Sequence, residues 1–108
     1  MKLKIMFGHY VLGEDGKTPV EAKDLIDAAQ AWQQDRTVQK DKIGDITIST
    51  VFLGIDHSFD GGIPILFETM IFGGEHDEYQ MRYATWDEAV EGHGVAMALV
   101  KGLTLENL

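Results

Sequence analysis

"DITISTVFL" (45–53), "GIDHSFDGG" (54–62) and "IPILFETMIF" (63–72) decide how this chain folds. Ile46 and Ile48 alternate with Thr47 and Ser49, the period of a half-buried strand, and the segment ends apolar on both faces. The glycine- and aspartate-rich stretch that follows reads as a loop. The second apolar run carries Pro64 near its start, where a missing backbone donor is tolerable. A "GGEHDE" turn and "YQMRYA" (79–84) complete three neighbouring strands, which short connections make antiparallel.

Upstream, "RTVQKDKI" (36–43) reads as an edge strand whose three bases protect it from aggregation, with Gly44-Asp45 as the turn into the next strand. "LKIMFGHYVL" (3–12) reads as a first strand. Between them, Thr18, Pro19, Val20 and Glu21 have the T-x-x-E form of a helix capping box, and Leu25, Ala28 or Ala29, and Trp32 recur at helical spacing, so a helix is expected to about Gln34. Downstream, Thr85, Trp86, Asp87 and Glu88 repeat the box ahead of a helix with Trp86, Ala89 or Val90, Met97 and Val100 on its apolar stripe. The expected architecture is α+β, in the order β-α-β-β-β-β-α, an antiparallel sheet of four to five strands with two helices on one face.

The chain's 108 residues, 44% of them apolar, suit one domain with one core. Without cysteine, it has neither a disulfide framework nor a thiolate zinc site, so a metal falls to histidine and carboxylate. No apolar run reaches the roughly 20 residues of a membrane span, and the first residues lack a secretory pattern; the expected location is the cytoplasm. The net charge of −9 is lopsided: residues 51–108 hold ten acids against Arg82 and Lys101. That field disfavours nucleic acid and anionic membrane and favours a basic partner.

Four residues stand out chemically. Glu68 interrupts an apolar run, where an unpaired carboxylate costs on the order of several kcal/mol, so it is expected either at an edge or outward face beside Arg82 or a lysine, or against an inward partner. His93 falls on the inward stripe of the second helix between Gly92 and Gly94, which points to a close approach to the backbone there, or a kink. Asp56 and His57 sit with Asp60 in the glycine loop, three oxygen or nitrogen donors within five residues, a pattern that also reads as a plain Asp-Gly turn. With the second helix on the sheet, His93 lies over the 63–72 strand, where Glu68 is able to accept its proton or share a metal with it. Adding His57 and Asp56 gives a divalent site, zinc above all, if the loop folds back over the sheet. His9 and His76 have no evident role, and no nucleophile elbow, phosphate loop or H-E-x-x-H motif occurs.

"STVFLGIDHSFDGG" (49–62), "PILFETMIFGG" (64–74) and "RYATWDEAVEGH" (82–93) together resemble a family of small phage and prophage proteins with S-T-x-F-L-G-x-D-H, F-E-T-M-x-F-G-G and G-H blocks. The likeness runs from about Trp32 to Met97; "GGEHDEY" departs from it, where relatives carry a glycine-proline turn. It implies a mobile-element accessory protein, with Asp56, His57, Glu68 and His93 inside its blocks. Set beside the acidic charge, the leading expectation is a host-cell binding protein, not an enzyme. It docks on a basic host surface, most concretely as an anti-CRISPR inhibitor on the nucleic-acid-binding surface of an effector nuclease. The alternatives are a small metal-dependent hydrolase, with His57 and His93 as ligands and Glu68 as general base, and a phage assembly or morphogenesis factor.

Overall fold

The computed structural model describes residues 8–58 and 61–102. Four strands form the main sheet as an antiparallel meander, β3 (Thr37–Ile43), β4 (Ile46–Phe52), β5 (Phe67–Phe72) and β6 (Gln80–Tyr83), in that spatial order. Ahead of it stand a two-stranded hairpin, β1 (Tyr10–Leu12) with β2 (Pro19–Glu21), and helix α1 (Leu25–Trp32); α2 (Trp86–Val100) is the last element among the described residues. The α+β class, the antiparallel four-stranded sheet and the strand, helix, four strands, helix order all match the sequence reading. Residues 3–7 of the expected first strand lie outside the described residues.

The one added element, β2, replaces the first expected capping box. Asp15 takes the backbone N–H groups of Lys17 and Thr18 and the Thr18 hydroxyl, closing the β1–β2 turn. With its N–H and hydroxyl both given to Asp15, Thr18 belongs to the turn, and Pro19 opens a short edge strand where its missing N–H is tolerable. The helix begins later: the Asp24 side chain accepts from Asp27 N at 2.8 Å as its N-cap. At α2 the box forms as read, Thr85 Oγ1 accepting from Glu88 N and the Glu88 side chain accepting from Thr85 N, both at 3.1 Å.

Helix α2 lies across all four strands of the sheet, whereas α1 packs against β1. Trp32 anchors α1: its ring stacks on His9 at 5.4 Å, its Nε1 donates to Tyr10 O, and it covers Gly54 so closely that a Cβ there has no room. Strand β4 is read correctly from its period, since Ile48, Thr50 and Phe52 are buried beneath α2 while the residues between them are half-exposed. The core falls into two apolar clusters: Phe52, Leu66, Phe67 and Ala89 at one end, and Ile48, Ile71 and Ala96 at the other. Among the described residues no helix is long and apolar enough to cross a membrane.

Candidate functional site

Between those two clusters runs a layer of polar side chains, one from each of three strands and one from the helix. Along β4 the inward residues are Ile48, Thr50 and Phe52; along β5 they are Phe67, Thr69 and Ile71; along α2, Ala89, His93 and Ala96. Each middle member is polar and fully buried. The register sets Thr50 directly opposite Thr69, and their hydroxyls meet at 2.5 Å. Thr50 Oγ1 also meets His93 Nδ1 at 2.7 Å, and His93 Nε2 reaches Asp41 Oδ2 on β3 at 2.8 Å. A continuous chain, Thr69, Thr50, His93, Asp41, therefore crosses the core from β5 to the β3 edge.

The acceptor at its end fixes the direction of the last bond. The His93 bond, with a smaller contribution from Gln39, holds the Asp41 carboxyl below the ordinary aspartate range against partial desolvation, so it is ionised and accepts from His93 Nε2. In the tautomer with the proton on Nε2 alone, Nδ1 accepts from the Thr50 hydroxyl and Thr50 accepts from Thr69. Every polar atom of His93 and Thr50 is satisfied, which is what a buried polar layer needs to be stabilising rather than costly. Beyond Thr69, on β6, burial pushes the Tyr83 phenol up while the nearby Thr69 hydroxyl acts in the opposite sense, though the two miss hydrogen-bonding geometry. The Tyr83 hydroxyl instead abuts Gly92, where any Cβ clashes with it; this is the close approach expected at that glycine.

The arrangement has the order of an acid–histidine–hydroxyl relay, but its hydroxyl is sealed. Thr50, Thr69 and His93 all have zero exposure, and Asp41 alone touches solvent, so no substrate carbonyl or phosphoryl group reaches the threonine. What the chain does is tie α2 to β3, β4 and β5 at one level.

The expected partnership of His93 with Glu68 is corrected by strand parity. Thr69 faces the helix, so its neighbour Glu68 faces the other side of the sheet, where it lies cross-strand between Val51 and Arg82. There Glu68, 8% exposed, accepts from Arg82 Nε at 2.9 Å and Gln80 Nε2 at 2.6 Å. His93 does have a carboxylate partner, but it is Asp41.

Nor does the glycine loop fold back over the sheet. Asp56 accepts from Ser58 N, Ser58 Oγ and Ile65 N, bonds that together outweigh its desolvation and keep its carboxyl below the usual range. Its own N–H donates to Gly8 O, which docks the loop on the N-terminal hairpin. His57 bonds the Ile55 carbonyl through Nδ1. Asp56, His57, Glu68 and His93 are thus held in three separate places, and among the described residues no group of three or more histidines and carboxylates could hold a metal. Asp60 lies outside the described residues.

Of the residues missed from the sequence, Thr50 and Thr69 had a visible signal, since each breaks an inward apolar series at the level where His93 breaks the helical stripe, whereas Asp41, in a strand that reads as a solvated edge, had none. His76 sits half-buried in the acidic turn near the exposed Glu75, without a further partner that assigns it a role. No family model matches the chain, and no curated protein or solved structure matches it significantly either.

Proposed function

We propose that the protein acts by binding, through its acidic surface, to a basic surface of a partner protein. One observation carries this reading: the ionisable groups that look chemical are committed to structure, while six described acids of the second half are exposed with no lysine or arginine beside them. Among the described residues, Glu68 is the only carboxylate within 4 Å of a lysine or arginine. Asp87, Glu88 and Glu91 on α2, with Glu75, Asp77 and Glu78 in the β5–β6 turn, are exposed. Such a field speeds encounter with a basic surface and rejects an acidic one.

The resemblance to phage and prophage proteins gives the proposal its most concrete form. In it the chain is an anti-CRISPR inhibitor that occupies the nucleic-acid-binding channel of a host effector nuclease, a surface rich in lysine and arginine. The test is binding of the purified chain to a panel of purified effector nucleases at 50 and 500 mM salt, with and without target DNA. Supporting results are an affinity that falls at least tenfold between the two salts and competition by the DNA. Absence of binding across the panel, or an affinity indifferent to salt, overturns it.

A further inference from the structure

The two edges of the sheet are built differently. At the β3 edge, a register irregularity between Thr37 and Gln39 and two exposed lysines, Lys40 and Lys42, blunt the strand against further pairing. At the β6 edge the pairing with β5 is regular, no proline intervenes, and the single basic residue, Arg82, is turned to Glu68. Strand β6 therefore presents unsatisfied backbone donors and acceptors without the devices its counterpart carries.

Beside that edge lies an open groove of about 340 Å³ between β6 and α2. Met81 and Tyr83 from the strand and Gly92 and Val95 from the helix line it, and Met81 and Val95 are about half exposed. Its helix rim carries Glu88 and Glu91, in i, i+3 spacing and unmatched by any lysine or arginine among the described residues. The volume is at the low end for a small-molecule pocket and suits a few side chains of a chain lying alongside.

We infer that the β6 edge and this groove take an extended segment of the partner protein, added to the sheet as a fifth strand. Its groove-facing residues, every second one, are apolar or long-stemmed basic side chains whose heads reach Glu88 and Glu91. A second copy of this chain fits less well. Edge-to-edge pairing of two β6 strands brings like-charged helix rims together, whereas a lysine- or arginine-bearing strand meets them with opposite charge. The inference rests on the docking reading above and gives it a place and a backbone geometry.

The test uses the full chain, labelled with nitrogen-15, and an end-blocked octapeptide of alternating lysine and valine, followed by amide chemical shifts. Shifts confined to Gln80–Tyr83 and residues 88–95 are expected, with affinity at least tenfold weaker for Glu91→Lys. N-methylation of the alternate peptide amides that face β6 should remove binding while methylation of the other alternate set should not, and replacing lysine by glutamate should remove it. Equal binding by the two N-methylated peptides, shifts centred on β3, or no binding by the lysine–valine peptide overturns the inference. Concentration-dependent shifts at Gln80–Tyr83 without peptide assign the edge to a second copy and overturn the choice of partner. If the peptide fails while a basic effector nuclease still binds in a salt-dependent way, only the strand-addition site falls; if neither binds, the docking reading falls with it.

Discussion

Replacing Thr50 by valine keeps the shape of the side chain and removes one oxygen, which makes it the sharpest perturbation of the buried layer. That oxygen serves both Thr69 Oγ1 at 2.5 Å and His93 Nδ1 at 2.7 Å, so one substitution orphans two polar groups that have no exposure to water. Each orphan costs about 1–3 kcal/mol, giving roughly 2–6 kcal/mol together. Exchanging the hydroxyl for a buried methyl returns up to about 0.8 kcal/mol, leaving a net loss of about 1–5 kcal/mol. Against a total stability of about 5–15 kcal/mol that is a large fraction, and for a domain of this size it lowers the melting temperature by roughly 5–40 °C. Urea unfolding followed by circular dichroism measures it, with an unchanged m-value showing that stability alone has moved. Thr50→Val with Thr69→Val removes one of the orphans, so the double variant should lose less than the sum of the singles, with a coupling of about 1–2 kcal/mol. Thr47→Val, on the opposite face of the same strand, should stay within about 0.5 kcal/mol of the parent protein. A Thr50→Val protein as stable as the parent refutes the reasoning.

Gly92→Ala should destabilise by about 1–3 kcal/mol because its Cβ runs into the Tyr83 ring, whereas Gly94→Ala, with open space around it, should stabilise by about 0.5–1 kcal/mol through helix propensity; thermal melts of the pair separate packing from backbone effects. Asp15, Asp35, Asp41 and Asp56 all have carboxyls held below their ordinary value, Asp15 at about 2 through its hydrogen bonds from Thr18 and Lys17. A depressed folded-state pKa gives stability that is present above the unfolded value and lost as pH falls through the folded one, so unfolding free energy should decline from about pH 4 downwards. Urea titrations from pH 6 to 2 check this, and Asp41→Asn should flatten part of the slope; a flat profile contradicts it. Chelation with EDTA should leave the melting temperature unchanged, since His93 spends both ring nitrogens on Thr50 and Asp41; a fall of several degrees contradicts that assignment.

How much of this was legible in the sequence is best seen at the two T-x-x-E boxes. The letters are equivalent, yet only Thr85 caps a helix, because Thr18 is preceded by an aspartate three residues back that captures its N–H and hydroxyl into a turn. Local competition of this kind is invisible to a four-residue pattern. Strand β4 declared its faces by alternation, but β5, apolar on nearly every position, did not. Without parity Glu68 could not be assigned to a face, so its pairing with Arg82 and its pairing with His93 both stayed open until the register decided for Arg82. The need for a carboxylate partner on His93 was readable from its burial and type. Which strand supplies it depended on tertiary register, since Asp41 lies 52 residues away and its strand reads as a solvated edge.

His93 is sealed inside a structural layer, and the proposed docking on a basic partner rests on that burial. Long-range proton–nitrogen correlation spectra of the histidine rings at neutral pH test this most directly. The expected result is a single His93 tautomer with the proton on Nε2, an unprotonated Nδ1 accepting from Thr50, and a ring proton that exchanges slowly with water. A mixture of tautomers with rapid proton exchange means that the layer opens to solvent, and that result would contradict a purely structural role for the relay.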